Sequence, residues 1–264
     1  MKTLKNLIAA TSLLCLFSGS ALFGQAPTIS GVVDAASFGT QLAPGSLANV
    51  NGTNFGSSTS IAVNVGAKAC AVLSATATQL LIEIAVDAPA GATAIQVGSS
   101  APFNISLQPY APEMYTADGS GKGDVQAFHA DGSPVSLSRP ASAQEAISLF
   151  AVGLGATFPA VPTGTATPTS PFALVATPVQ MTIANEPVAV LFVGLAPGKI
   201  GVYQLNFVVP GDLTTGDQPI SFAVGGTKSN TLTLPTTDAP VISGLQNNYS
   251  YITTGFPNYG IAQG

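Results

Sequence analysis

The chain has no tryptophan, one histidine and two cysteines, and only 7% of its 264 residues are charged. Each shortage excludes something. Cys15 lies in an N-terminal segment with the features of an export signal, so the remainder keeps Cys70 alone and no intrachain disulfide is expected in it. One histidine and one cysteine cannot supply the ligands of a transition-metal site, and no metal or other cofactor is expected. Sugar-binding clefts commonly stack rings on tryptophan, so its absence counts against a glycosidase and a carbohydrate-binding groove, although tyrosines can take that place. A charged fraction far below the roughly 25% usual in soluble domains leaves Thr, Ser, Ala, Gly, Asn and Gln to cover the surface. The formal net charge is −5, which disfavours nucleic acid and anionic membranes as partners.

What is present begins with a secretory signal pattern, expected over residues 1–25. Lys2 and Lys5 precede an apolar run from Leu7 to Phe17, and small residues follow, with candidate cleavage points between Ser20 and Ala26. The run is shorter than the roughly 20 residues that a spanning helix needs, so no integral membrane span is expected after cleavage. The small residues that precede a lipidated cysteine are missing before Cys15. The expected location is extracellular or cell-surface, with the periplasm as the alternative.

Strand signals dominate the rest. Ser60 to Ser74, Gln79 to Val86 and Ala92 to Leu107 are short runs rich in β-branched and aliphatic residues, punctuated by Gly, Pro and Ser. Pro178 to Leu195, Gly201 to Pro210 and Gln218 to Pro235 follow the same order. "AVL" occurs at Ala71 to Leu73 and at Ala189 to Leu191, and "QL" opens an apolar strand at Gln79 and again at Gln204. The fold class expected is all-β, with tandem immunoglobulin-like β-sandwiches. One covers residues 26–108 and a second covers residues 109–236. Between them, "PYAP" reads as a stiff joint, and the Asp-Gly pairs at 118 and 131 bracket an inserted hairpin. The Pro- and Thr-rich stretch from Ala156 to Pro178 reads as a long surface loop.

The segment Ala239 to Tyr251 repeats Ala26 to Phe38. At an offset of 213, Ala26, Pro27, Ile29, Ser30, Gly31 and Ser37 meet identical residues. Residues 237–264 therefore read as the incomplete start of a third unit, either unpaired or added to an exposed sheet edge.

Several phrases together carry a family resemblance: "VVDAASFGTQLAPGSLANVNGTNFG", "GSPVSLSRPA", "ISLFAVGLG", "VLFVGLAPGKIGVYQLNFVVP" and "VGGTKSNTL". They resemble the uncharacterised C-terminal domain family abundant in secreted proteins of soil acidobacteria, the Solibacter type, over roughly Pro27 to Pro235. Its first part is similar to IPT/TIG modules, which are immunoglobulin-like sandwiches. The resemblance implies a secreted architecture of this kind and brings no catalytic residues to carry over.

No convergent chemistry emerges from the residues, and no catalytic, cofactor-binding or metal-binding residue is assigned. His129 could join a Ser-His-Asp arrangement, but no G-x-S-x-G elbow exists and a solvent-facing hairpin histidine is the expectation. Glu83 and Asp87 could form a carboxylate pair only if their strand ran on regularly. Asp118 to Asp124 places oxygens near calcium-loop spacing but lacks the terminal acid, and its Gly-Lys-Gly lacks the hydroxyl residue of a phosphate loop. Cys70 reads as a small buried hydrophobe. The function expected is a structural, adhesive or protein-interaction role at the cell surface, with no enzymatic activity. The alternatives are a glycan-binding module, with a groove lined by Tyr110, Tyr115 or Tyr203, and, behind it, a hydrolase. Partners are other extracellular proteins or glycans.

Overall fold

A computed structural model describes residues 25–238, and its regular structure is entirely β. The expected signal segment and the repeated segment from Ala239 onward lie outside the described residues.

The first sandwich contains β1 (Thr28–Asp34), β2 (Leu47–Thr53), β3 (Val63–Val65), β4 (Lys68–Ala69), β5 (Ala71–Ala75), β6 (Gln79–Glu83), β7 (Gly91–Val97) and β8 (Phe103–Leu107). Its two sheets run in the orders β1-β2-β6-β5 and β4-β3-β7-β8. Alternation along β2 and β6 buries Ala48, Val50, Leu80 and Ile82 in a core shared with Val63, Val65, Ile95 and Val97 of the facing sheet.

The Ser60 to Ser74 run is not one strand. Gly66, at φ 57°, turns β3 into β4. At Cys70 the chain then leaves that sheet, its N–H donating to Val63 O at 2.9 Å, and β5 pairs with β6 in the other. Cys70 is half-buried against the core.

The second sandwich contains β9 (Glu113–Met114), β10 (Ala127–Phe128), β11 (Ala141–Ser142), β12 (Ala146–Val152), β13 (Thr157–Phe158), β14 (Leu174–Val175), β15 (Val179–Ile183) and β16 (Glu186–Val188). It is completed by β17 (Val190–Leu195), β18 (Tyr203–Val208), β19 (Gly216–Val224), β20 (Thr227–Lys228) and β21 (Leu232–Thr237). The sheets are β10-β12-β18-β17-β14-β13, with β9 also on β12, and β11-β21-β19-β15-β16, with β20 on β19.

The order β2-β6-β5 facing β4-β3-β7-β8 is thus repeated as β12-β18-β17 facing β16-β15-β19-β21. Register agrees as well: Ala48 pairs with Ile82 where Ile147 pairs with Phe207. Both third strands carry a bulge, between Val72 and Ser74 and between Val190 and Phe192. The leucine of each "AVL" is the extra residue, and each triplet opens the strand at which the chain changes sheet.

The Pro- and Thr-rich stretch differs from expectation. It contributes the β13–β14 hairpin to the sheet edge, and its Thr163 and Gly164 reach the first sandwich. Gly164 N–H donates to the Glu83 carboxylate, and Val86 N–H donates to the Thr163 hydroxyl, so backbone donors on both sides of the contact find partners.

Candidate functional site

The residue types that could carry chemistry collect where the two sandwiches meet. The connecting backbone is held on both sides: Gln108 N–H donates to Leu42 O at 2.7 Å and Ala111 N–H to Gly153 O at 3.0 Å. Tyr110 packs on glycines of the second sandwich, since a Cβ on Gly155 or Gly225 would fall 2.8 or 2.2 Å from its ring. Its hydroxyl bonds Thr177 Oγ1 at 2.9 Å. The joint expected from "PYAP" is therefore a clamped one, and Tyr110 is one of its fasteners.

Beside it runs an apolar seam. Leu47, Leu73 and Leu81 of the first sandwich pack with Tyr115, Val152 and Val202 of the second. At its edge the buried Asp34 carboxylate accepts from Ala36 N–H (2.8 Å), Ser37 N–H (2.7 Å), Ser37 Oγ (2.7 Å) and Gly39 N–H (2.6 Å). That turn shapes "DAASFG" into a rigid loop. Glu113 lies against it, with its Oε2 buried and unpartnered among the described residues. Burial, and next the Asp34 charge, push its carboxyl up to about 7. The same two causes raise the Tyr115 phenol.

A pH dependence follows. The folded chain binds the Glu113 proton more tightly than the unfolded chain does, so this group's contribution is complete below the ordinary carboxylate range and is lost as pH rises through about 7. After allowance for its partial exposure, about 1–2 kcal/mol is involved. Urea unfolding at pH 5 and pH 8 should show Glu113→Gln losing less stability than the parent chain by that amount. Equal losses in the two proteins would refute it.

A cleft of about 290 Å³ opens across the joint, lined by Glu83 and Val86 on one side and by Tyr110, Thr157, Val161 and Tyr203 on the other. Glu83, 5% exposed, accepts a hydrogen bond from Gly164 N–H, and burial raises its carboxyl despite that bond. The buried Tyr203 hydroxyl donates to Gly155 O, and burial raises this phenol too. Of the tyrosines expected to line a groove, Tyr110 and Tyr203 share this cleft, each engaged by the second sandwich. Tyr115 lies in the seam instead.

The remaining candidates do not converge. β6 ends at Glu83, and Asp87 beyond it turns outward to pair with Lys68 at 2.5 Å, which holds its carboxyl low. The two carboxylates are not a pair, because the strand does not run on between them.

The solvent-facing position expected for His129 is incorrect. The residue is 5% exposed, with Nδ1 at 2.6 Å from Glu145 Oε1 and Nε2 at 3.2 Å from Arg139 O. The segment after Phe128 tucks inward because His129 N–H bonds Ser133 O across a tight turn and β10 pairs with β12. Both ring nitrogens face these oxygens, and neither faces a serine hydroxyl.

In the Asp118 to Asp124 stretch, Asp118 accepts from Ser120 N–H at 3.0 Å, while Asp124 accepts from Thr233 Oγ1 at 2.5 Å on β21. The two acids serve different turns. Among the described residues no cluster of three or more His, Cys, Asp or Glu could hold a metal ion. Burial raises the Cys70 thiol, as befits a packed side chain.

Asp34, Glu113 and Gly164 were not singled out from sequence. A usable signal existed for Glu113: "AP" followed by Met114 at Ala111 echoes "AP" followed by Ile29 at Ala26, and β9 and β1 pair at matching positions on β12 and β2.

No family model matches the chain. No curated protein matches it either. Among solved structures it is similar to SGBP-B of the Bacteroides ovatus mixed-linkage glucan utilization locus, in complex with a mixed-linkage heptasaccharide, at 13% identity, 81% of this chain, 45% of that one and a TM-score of 0.37. It is similar to domains 5–6 of the S-layer protein SbsC, at 15% identity, 81% of this chain, all of that one and a TM-score of 0.26. The I9–I11 tandem from titin gives 8% identity, 81% and 64% coverage and a TM-score of 0.22. The chain spans 45% and 50% of the first two structures it resembles.

Proposed function

We propose that this chain is a secreted, non-enzymatic protein whose two firmly joined β-sandwiches serve a structural, adhesive or protein-interaction role at the cell surface. One observation carries the reading: the side chains that could do chemistry are engaged in holding the molecule together. Asp34 folds its own loop, Glu83 receives Gly164 from the other sandwich, and Tyr110 and Tyr203 are bonded within the second sandwich. His129 and Glu145 fasten one another. A nucleophile needs a base within hydrogen-bond reach and an open approach, and no such set stands among the described residues. The weakly charged composition and the export signal expected over residues 1–25 agree with an extracellular setting.

The test is turnover. The purified chain, assayed against chromogenic esters, glycosides and a peptide substrate, is expected to release no product above buffer. Sustained hydrolysis abolished by Glu83→Gln or His129→Ala, with the fold intact by circular dichroism, would overturn the proposal.

A further inference from the structure

The outer face of the second sandwich is built unlike the matching face of the first. Alternation sends Leu149, Leu205, Phe207 and Val193 towards the core and leaves Phe150, Gln204, Asn206 and Phe192 on the opposite side. Register aligns the outward residues in two rows. One runs Phe128, Ser148, Asn206, Phe192, and the other Phe150, Gln204, Gly194, Leu174, Phe158. Phe128 and Phe150 pack edge to face at 5.7 Å, and Phe172 and Phe192 at 5.8 Å. Between these pairs Gln204 Nε2 donates to Asn206 Oδ1 at 2.8 Å. Asn206 is 6% exposed, and its Nδ2 has no partner among the described residues yet is not sealed from solvent. Neither row contains a charged side chain. At about 4.8 Å between neighbours, the path from β10 to β13 spans about 24 Å.

The corresponding face of the first sandwich is the one closed by the second, through Leu47, Leu81 and the bulge residue Leu73. Register sets Ala146, Asn206 and Leu191 at those three positions, and Leu191 is 53% exposed. Two of the three docking leucines are thus replaced by a small residue and an amide. Another sandwich seated in the same way would lose apolar contact and strand the Asn206 amide without a partner. An uncharged surface that alternates aromatic rings with free amide valences fits instead a ligand having apolar C–H faces, many hydroxyls and no charge.

We propose that this face binds a neutral glycan chain laid across β12, β18, β17, β14 and β13. The sugar rings lie on Phe150, Phe192 and the 80% exposed Phe158, and their hydroxyls meet the Gln204–Asn206 amide pair. The site differs from the tyrosine groove expected from sequence, whose tyrosines are committed to the joint. The inference rests on the reading of the chain as a non-enzymatic surface protein and adds its ligand class.

The experiment uses the full chain in affinity electrophoresis through xylan and β-glucan gels and in co-sedimentation with microcrystalline cellulose, with polygalacturonate and chitosan as charged controls. Retention on at least one neutral glycan, insensitive to salt, is expected, weakened at least fivefold by Phe158→Ala or Gln204→Ala. Leu137→Ala, at a 74% exposed position outside both rows, should leave it unchanged. Circular dichroism verifies that the variants fold. The proposal is overturned by no retention on any neutral glycan, by retention on charged polymers alone, or by retention that neither variant weakens. It is equally overturned if sedimentation velocity finds a self-association that Phe158→Ala abolishes. None of these results produces turnover, so the non-enzymatic reading stands or falls separately.

Discussion

Replacing Gly153 by alanine is expected to destabilise the protein by about 3–4 kcal/mol, measured as a drop in the urea unfolding free energy. Gly153 sits at φ 76°, where a side chain is strained, and its Cβ would fall 1.9 Å from Ala111 O. No rotamer relieves a backbone contact. The chain must move, breaking the 3.0 Å bond from Ala111 N–H to Gly153 O and the adjoining register in which Val152 pairs with Glu113 and Ala151 with Met114. Because Ala111 begins the segment that carries Glu113 and Tyr115 into the seam, the change should also loosen the two sandwiches from each other. Small-angle scattering would register that as a broadened distribution of maximum dimensions. A variant as stable and as compact as the parent would show that the joint is not held at this point.

The second large effect concerns His129. Substitution by alanine is expected to cost about 2–3 kcal/mol, because it empties a buried ring site and leaves Glu145 Oε1 without its partner. Glu145 Oε2 also accepts from Ser142 N–H at 2.9 Å, so the loss should spread to the start of β12. Hydrogen exchange at the amides of Ser142 and Glu145 would report it, the latter bonding back to Ser142 O. A change within about 0.5 kcal/mol, typical of surface sites, would return His129 to the exposed hairpin position expected from sequence.

That histidine shows where local reading fails. "AFHADGS" has the composition of an exposed turn, and the turn is there, since Gly132 N–H bonds His129 O at 2.9 Å. Which way the ring points was decided by Glu145, sixteen residues on, and by Arg139 O. The carboxylates behave alike. Glu83 and Asp87 are neighbours in sequence, but one is drawn into the joint by Gly164, eighty-one residues away, and the other is held at the surface by Lys68. Nothing within either local window specifies these partners.

The repeats were far more legible. The recurring "AVL" and "QL" were visible as words, and each marks an equivalent place: the bulged strand where the chain changes sheet, and the strand that pairs with it. Short-range chemistry specifies such features directly, through alternation of apolar residues and through glycines at turns such as Gly225 and Gly226, both at positive φ. The Pro- and Thr-rich stretch was legible as irregular chain but not as a contact, because its two docking residues, Thr163 and Gly164, have no distinctive local pattern.

Composition and periods of a few residues were enough to specify the all-β class, the internal repetition, the sparse charge and the scarcity of histidine and cysteine. Tertiary structure alone decided that one face of the first sandwich is closed by leucines, while its counterpart on the second carries phenylalanines around an amide pair. The reason is physical. A sheet face is assembled from residues on strands far apart in the chain, and only the register between those strands makes Phe150, Gln204, Leu174 and Phe158 neighbours.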